Sequence, residues 1–293
     1  MKDISNKIAL GTVQFGLNYG IANKQGVTSS TEVKEIIRLA SLHGIHILDT
    51  AIGYGDSEKK LGEVGVKDFD IITKLPAIPD DYTDIEKWVE MQINGSLERL
   101  NVEQLYGVLF HTPSQLNSLK GKQLFRALEN MKEKKVIGKI GISVYSPEEL
   151  DILIEDYDVD IVQAPFNIID RRFHESGWFS KLSSLGIEVH VRSVFLQGLL
   201  LMKISDRSAY FDKWKSLFGS FSDWLMNQKL TPLQACLNYV LGFSEIDKVL
   251  IGVDNSANLL EILNAKMDGS LHVPNDFGSR DVDLIIPTNW KKN

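Results

Sequence analysis

A single cysteine, Cys236, in 293 residues leaves no internal disulfide and no multi-cysteine metal site to consider. It falls in Thr231-Pro232-Leu233-Gln234-Ala235-Cys236-Leu237, on the apolar side of an expected helix, where a thiol acts as a small buried hydrophobe. No apolar stretch approaches 18 residues, so no membrane-spanning helix is expected. The opening Met1-Lys2-Asp3-Ile4-Ser5-Asn6-Lys7 has no apolar run of the kind a secretion signal carries, and the expected location is the cytoplasm. Lys and Arg nowhere form a block. The formal net charge is -7, from 39 acids and 32 bases. Nucleic acid is therefore not expected as a partner, because phosphate contacts require clustered bases. The six histidines, His43, His46, His111, His174, His190 and His272, contain no HxH or HxxxH pair and no carboxylate cluster beside them, so no metal is expected. There is no repeat of solenoid length, no low-complexity segment and no dinucleotide-binding glycine fingerprint.

What is present is an ordinary globular composition, 43% hydrophobic and 24% charged. Short β-branched or apolar runs alternate with longer helical patterns from end to end, the mark of βα units and a parallel sheet. The expected strands are Ile8–Gly11, His46–Asp49, Asp70–Thr73, Leu105–Phe110, Lys139–Ser143, Ile161–Ala164, Ile187–Val191 and Lys248–Ile251. Helical spacing marks Ser29–His43, Asp84–Leu100, Gly121–Lys134, Pro147–Asp156 and Thr231–Gly242. Ser146 and Thr231 are the expected N-caps of the last two, each followed by a proline where the first turn tolerates a missing N–H. Eight such units predict an α/β fold, a (β/α)8 TIM barrel, as one domain over residues 1–293; about 250 residues is typical of that fold. An open doubly wound sheet is the structural alternative. The stretch Leu199–Asn227, with Phe211, Trp214, Phe218, Phe221 and Trp224, is an insertion in the seventh unit, either packed on the barrel or serving as a lid. The polar tail after Asp268 is expected to wrap the surface.

In a barrel enzyme the C-terminal ends of the strands open into one shared mouth. Asp49 ends the second strand, and Tyr54 follows one short turn later. Lys74 follows the third strand and His111 the fourth. Taken singly, each has a structural explanation: a helix cap, a packed ring, a strand-end charge, a rim histidine. Together they make a set that can reduce a carbonyl. Hydride addition puts negative charge on oxygen, which a nearby acid must neutralise. Tyrosine is a weak acid, with a pKa of about 10, and a neighbouring ammonium lowers that value. Lys74 is placed to do so, Asp49 to keep Lys74 charged and aimed, and His111 to orient the carbonyl oxygen or relay a proton.

These residues lie in segments that resemble the aldo-keto reductase superfamily. The span Asp49-Thr50-Ala51, Tyr54-Gly55-Asp56-Ser57-Glu58 and Leu61-Gly62 is similar to that family's segment around its catalytic aspartate and tyrosine. Gly95-Ser96-Leu97-Glu98-Arg99-Leu100 resembles the helix before the fourth strand, and Leu109-Phe110-His111-Thr112-Pro113 the catalytic-histidine strand. Gly138-Lys139-Ile140-Gly141-Ile142-Ser143-Val144 and Gln197-Gly198-Leu199-Leu200 match further stretches. The likeness runs from about residue 8 to 265.

The resemblance implies an NAD(P)H-dependent reductase of aldehydes or ketones; a sugar or sugar derivative as the substrate rests on polar loop residues instead. Polar loop residues Asn18, Tyr19, Asn167, Arg171 and Arg172 are candidates to meet such a substrate. The resemblance also implies Tyr54, Lys74, Asp49 and His111 as the catalytic set. It places Gly11 and Thr12 against the cofactor, Ser143 and Gln163 on the nicotinamide carboxamide, and Ser193, Leu196, Gln197 and Gly198 at the phosphates. Gly252, Val253, Asp254, Asn255, Ser256 and Asn258 are implied at the adenosine diphosphate, partly through a helix N-terminus. Two departures stand out. Arg192 occupies a position where many members have an aromatic against the nicotinamide. The stretch from Ile251 to Glu261 holds no base for a 2′-phosphate, while Asp254 and Glu261 would repel one; Lys248 is expected at the wrong end of its strand. NADPH is the family expectation and NADH remains open. The other class of reading is a nucleotide-binding barrel acting as a redox sensor or interaction subunit with little turnover. The oligomeric state is not legible.

Overall fold

The computed structural model describes residues 4–265, 267 and 271–290. Eight parallel strands pair in chain order and close on themselves. They are β1 (Ile8–Gly11), β2 (Ile47–Asp49), β3 (Asp70–Leu75), β4 (Leu105–Phe110), β5 (Ile137–Ser143), β6 (Ile161–Pro165), β7 (Glu188–Arg192) and β8 (Lys248–Gly252). The closing pair runs from Ile8 opposite Val249 to Gly11 opposite Gly252. The (β/α)8 barrel expected from the alternation is therefore the fold, and the open sheet is not.

The strands are apolar on both faces because both faces are covered. Ala9, Ile47, Ile72, Leu109, Ile161 and Leu250 fill the barrel interior as one buried cluster, while the larger cluster lies between strands and helices. Several strands run further than their apolar run suggests, β3 and β7 among them. β3 continues through Lys74 and Leu75, which lie opposite Leu109 and Phe110 of β4, and β7 continues to Arg192, opposite Pro165. Strand pairing belongs to the backbone, so polar side chains at the mouth do not end it.

Ser29 caps the helix Ser30–Leu42, accepting a hydrogen bond from the Glu32 N–H. Thr231 and Gln234 form a capping box at Pro232–Leu241, as the motif predicts. The expected cap at Ser146 is corrected. Pro147 itself stands at the cap of the helix Glu148–Asp156, and the Glu149 carboxylate reaches back to accept from the Tyr145 and Ser146 N–H groups. Among the helices not anticipated are Ser57–Val64 and Trp178–Ser184; each is too short to display a helical period. Lys248 begins β8, at the end away from the mouth, and donates to the Asn6 carbonyl. At that same end the Glu188 carboxylate gathers Lys139, the Tyr106 hydroxyl and His190.

The insertion after β7 is packed and not a free lid. Its helix Lys215–Gln228 and the 3-10 turn Ala209–Trp214 lie against the C-terminal segment. Phe211 meets Trp290 edge to face at 5.1 Å between centroids, and Phe221 and Trp224 meet Phe277 at 5.7 and 5.6 Å. The Trp214 indole donates to Asp281, and the Tyr210 hydroxyl to the Asp283 carbonyl. No helix among the described residues is long and apolar enough to cross a membrane. Phe277 is 3% exposed, and Phe277→Ala should lower the unfolding free energy by about 3 kcal/mol, within the range for buried aromatic truncations. Urea unfolding checks this; an unchanged midpoint would mean that the insertion does not depend on the tail.

Candidate active site

The loop after β2 is pinned before it delivers a side chain to the mouth. The Thr12 hydroxyl donates to the Asp49 carbonyl at 3.0 Å, and the Ser57 hydroxyl to the Thr12 carbonyl at 2.9 Å; Thr50 and Ser57 hydroxyls lie 3.1 Å apart. Glu58, 1% exposed, accepts from Thr73 at 2.6 Å and from Arg99, tying the helix Ser57–Val64 to β3 and to the helix Ile85–Leu100. Gly16 packs so closely on this loop that an added Cβ would lie 1.7 Å from the Tyr54 carbonyl oxygen. Gly55, next to Tyr54, takes the left-handed φ of +56° that turns the chain into the helix.

Inside that frame sits a buried ion pair. Lys74 and Asp49 are 1% and 3% exposed, and the Lys74 ammonium bonds Asp49 Oδ1 and donates to the Thr50 carbonyl at 2.9 Å. Gln163 donates to Asp49 Oδ2 at 2.7 Å and accepts from the Ser143 hydroxyl at 3.4 Å. Both carboxylate oxygens are thus engaged, as a buried charge requires. Lys74 Nζ lies 5.0 Å from the centroid of the half-buried Tyr54 ring, within reach of its hydroxyl. The rings of Tyr54 and His111 meet edge to face at 5.7 Å.

Burial works against the Lys74 ammonium, but Asp49 and Tyr54 outweigh it and hold its pKa above the ordinary value. Burial raises the Tyr54 phenol, and the lowering by Lys74 that the sequence suggests is present but smaller. The phenol is therefore protonated at neutral pH. His111 is pushed down to about 4 by burial and by Lys74, against the opposing pull of Asp49. A neutral imidazole is left, which can donate a hydrogen bond but does not carry a charge at neutral pH. Cys236 is buried, its thiol pushed up to about 12, and takes no part.

A cleft of about 530 Å³ opens at this mouth. Of the residues expected at the site, Gly11, Thr12, Asp49, Tyr54, Gln163, Arg192, Ser193, Gln197, Gly198, Gly252, Val253, Asp254 and Asn258 line it. Six do not. Lys74 and Ser143 lie beneath it, Leu196 is fully buried under the β7 turn, Asn255 is the N-cap of the following helix, and Ser256 is set back from the cleft wall with its N–H bonded to Glu32. His111 lines an adjoining cavity of about 320 Å³ with Thr112, Pro113, Ser114, Tyr145 and Glu149. After β7 the backbone passes through the left-handed region at Ser193, Leu196, Gln197 and Gly198; turns of this kind gather backbone N–H groups into anion-binding concavities. Arg192 stacks on Tyr145 at 4.4 Å and donates to the Val144 carbonyl at 3.0 Å.

Of the polar loop residues considered for substrate, Tyr19 lines the cleft, where Gln197 donates to its hydroxyl at 3.1 Å. Asn167, Arg171 and Arg172 are corrected to structural roles. Asn167 bonds the Ile169 and Asp170 N–H groups, Arg171 the Ile168 and Pro274 carbonyls, and Arg172 the Asp170 carboxylate. Gln14, Asn23 and Thr231 line the cleft and were missed. Gln14 had a signal, standing three residues past the end of β1. Its Oε1 is buried without a hydrogen-bond partner, and an added Cβ on Gly252 would approach its amide to 2.6 Å. An orphaned acceptor beside a glycine-lined wall fits an elongated polar ligand such as a nicotinamide dinucleotide. Among the described residues no group of three or more His, Cys, Asp or Glu could hold a metal ion.

The family model described as the aldo/keto reductase family matches residues 7–268. Aldo-keto reductase YhdN of Bacillus subtilis (strain 168) is 27% identical over 186 residues, 59% of this chain and 53% of that protein, so the match spans about half of that relative. The uncharacterized oxidoreductase YqkF of the same organism is 25% identical over 81% of this chain and 83% of its own length. In fold, the chain resembles aldo-keto reductase AKR11C1 from Bacillus halodurans (holo form), with a TM-score of 0.70, 19% identity, and coverage of 91% of this chain and 88% of that one.

The depressed His111 gives a linkage that solution measurements can read. Between its unfolded pKa of about 6.5 and its folded value of about 4, the unfolded chain binds more protons. Stability should therefore fall as pH drops through that window. His111→Asn should remove this component, seen as a shallower fall in unfolding free energy from pH 6.5 to 4 than the parent shows. Equal slopes would mean that His111 titrates normally.

Proposed function

The chain belongs to the aldo/keto reductase family, a family of NAD(P)H-dependent oxidoreductases, and on that premise we propose that it reduces an aldehyde or ketone to the alcohol, with Tyr54 as the proton donor. The observation that carries this reading is the buried Lys74–Asp49 pair held beneath the Tyr54 ring at the floor of the cleft. A pure binding module has no use for an ammonium buried beside a phenol.

Bound in the cleft, the nicotinamide cofactor supplies a hydride to the carbonyl carbon. Tyr54, protonated in the resting site, gives its proton to the carbonyl oxygen. Lys74 steadies the phenolate left behind, and Asp49 keeps Lys74 charged and aimed. Neutral His111 donates a hydrogen bond that orients the same oxygen. Gln163, with its second amide hydrogen, and Ser143 beneath it would hold the carboxamide of the cofactor. The turn Ser193–Gly198 would offer backbone N–H groups to the diphosphate, and Gln14 would accept from the ligand along the wall. The hydroxyls of Thr112, Ser114 and Tyr145 around the His111 cavity favour a polar, hydroxylated substrate such as a sugar or sugar derivative over an alkyl or aryl aldehyde.

Tyr54→Phe removes one hydroxyl and keeps the ring. Turnover of an aldose or a small hydroxylated aldehyde should fall by about two to four orders of magnitude, the scale of general acid catalysis, with cofactor affinity retained. Steady-state kinetics beside calorimetric cofactor titration separates the two quantities. Unchanged turnover would remove Tyr54 from the mechanism; cofactor binding with negligible turnover in the parent protein would point to a sensor or interaction subunit instead.

A further inference from the structure

The two nicotinamide cofactors differ by one phosphate on the adenosine ribose, and the adenosine end of the cleft has an unusual charge arrangement. Its wall is made by Gly252, Val253, Asp254, Asn258, Glu261 and Ile262, which include two carboxylates and no base. Among the described residues Arg192 is the one basic residue lining the cleft, and it stands at the other end, stacked on Tyr145. Lys60 approaches from outside but is committed to the Thr28 carbonyl at 2.7 Å, while the Thr28 hydroxyl donates to the Asp254 carbonyl.

The helix Ser256–Asn264 begins at this end, and a helix N-terminus ordinarily offers free N–H groups and a positive dipole to an anion. Here two of those groups are already used. Asn255 caps the helix by accepting from the Asn258 N–H at 2.9 Å, and the Ser256 N–H bonds the carboxylate of Glu32. Glu32 comes from the first turn of the helix Ser30–Leu42, so its carboxylate lies where the N-terminal ends of two helices converge. Both dipoles favour its negative charge, and the bonds from Ser256 hold it below the ordinary carboxylate range.

We infer that the wall carboxylates Asp254 and Glu261, with Glu32 set back from the wall on the Ser256 N–H, exclude a 2′-phosphate, and that the cleft is therefore selective for NADH over NADPH. This rests on the reductase reading above and names the cofactor of that same site. These carboxylates determine specificity by exclusion. A phosphate dianion brought to this wall meets Asp254 and Glu261, with Glu32 set back behind Ser256, while the nearby Lys60 ammonium is bonded to the Thr28 carbonyl. The 2′-hydroxyl of NADH brings no such charge and can donate to either wall carboxylate.

Isothermal titration calorimetry of the purified protein with NADH and NADPH, at low ionic strength so that charges are not screened, tests this without relying on turnover. NADH should bind at least about tenfold tighter, given the cost of like charges brought together. Glu32→Gln keeps an oxygen for the Ser256 N–H and loses only the charge. It should tighten NADPH by about threefold to tenfold and leave NADH within about twofold. Asp254→Asn, at the cleft wall, should act in the same direction and serves if the first variant fails to fold. Parent protein that binds NADPH as tightly as NADH, or a preference unmoved in the folded variants, overturns the inference while the reductase reading stands. Binding of neither cofactor overturns both.

Discussion

The ion pair between Lys74 and Asp49 is the constraint around which the site is arranged. Two charges removed from water cost several kcal/mol each unless their geometry and remaining hydrogen bonds compensate. The barrel provides that compensation because it is closed. Adjacent strands β2 and β3 bring the two side chains to one mouth, the Thr50 carbonyl takes a second ammonium hydrogen, and Gln163 reaches across from β6 to the other carboxylate oxygen. The pair in turn decides the state of its neighbours. It keeps a positive charge beside Tyr54, and that charge, with burial, keeps His111 neutral. A protonated phenol and an uncharged imidazole therefore stand side by side next to the pair.

Holding such a pair demands a stiff surround, and the structure invests in it away from the chemistry. The buried hydroxyls of Thr12, Thr50 and Ser57, the Glu58–Arg99 link and the contact at Gly16 all immobilise the short loop that carries Tyr54. Thr12 lines the cleft, while Gly16, Thr50, Ser57, Glu58 and Arg99 do not. They set where the phenol stands, and proximity of this kind is a large part of what a barrel enzyme contributes to a reaction. The insertion after β7 is likewise committed to packing, its aromatics interlocked with Phe277 and Trp290.

Charge along the cleft is divided. Positive groups, Lys74 and Arg192, gather near Tyr54, while the carboxylates Asp254 and Glu261 line the wall after β8, with Glu32 set back behind Ser256. A helix N-terminus is usually an invitation to an anion, but here another part of the same chain has accepted it. The feature turns on Ser256, which looks in sequence like an ordinary phosphate contact. It is spent in the fold on a glutamate 224 residues away.

Much of this molecule is legible in its sequence. Alternating apolar runs and helical spacings specify eight βα units because strand and helix periods are local, and backbone pairing then follows the chain order. Asp49, Tyr54, Lys74 and His111 can be picked out because polar groups at the ends of buried strands have no packing reason to be there. What the sequence leaves open are contacts between segments far apart in the chain. Asn167, Arg171 and Arg172 read as free polar loop residues, yet all three are consumed by backbone and carboxylate partners. Gln14 reads as ordinary and is left with an unmet acceptor on the cleft wall. Lys74 alone predicts an acidified tyrosine, whereas burial, a property of the whole fold, pushes the phenol the other way. Local period and residue type determined the barrel and its chemical set. Only the tertiary structure decided which polar groups remain free and which charges stand together, because hydrogen-bond partners and desolvation are set by neighbours in space.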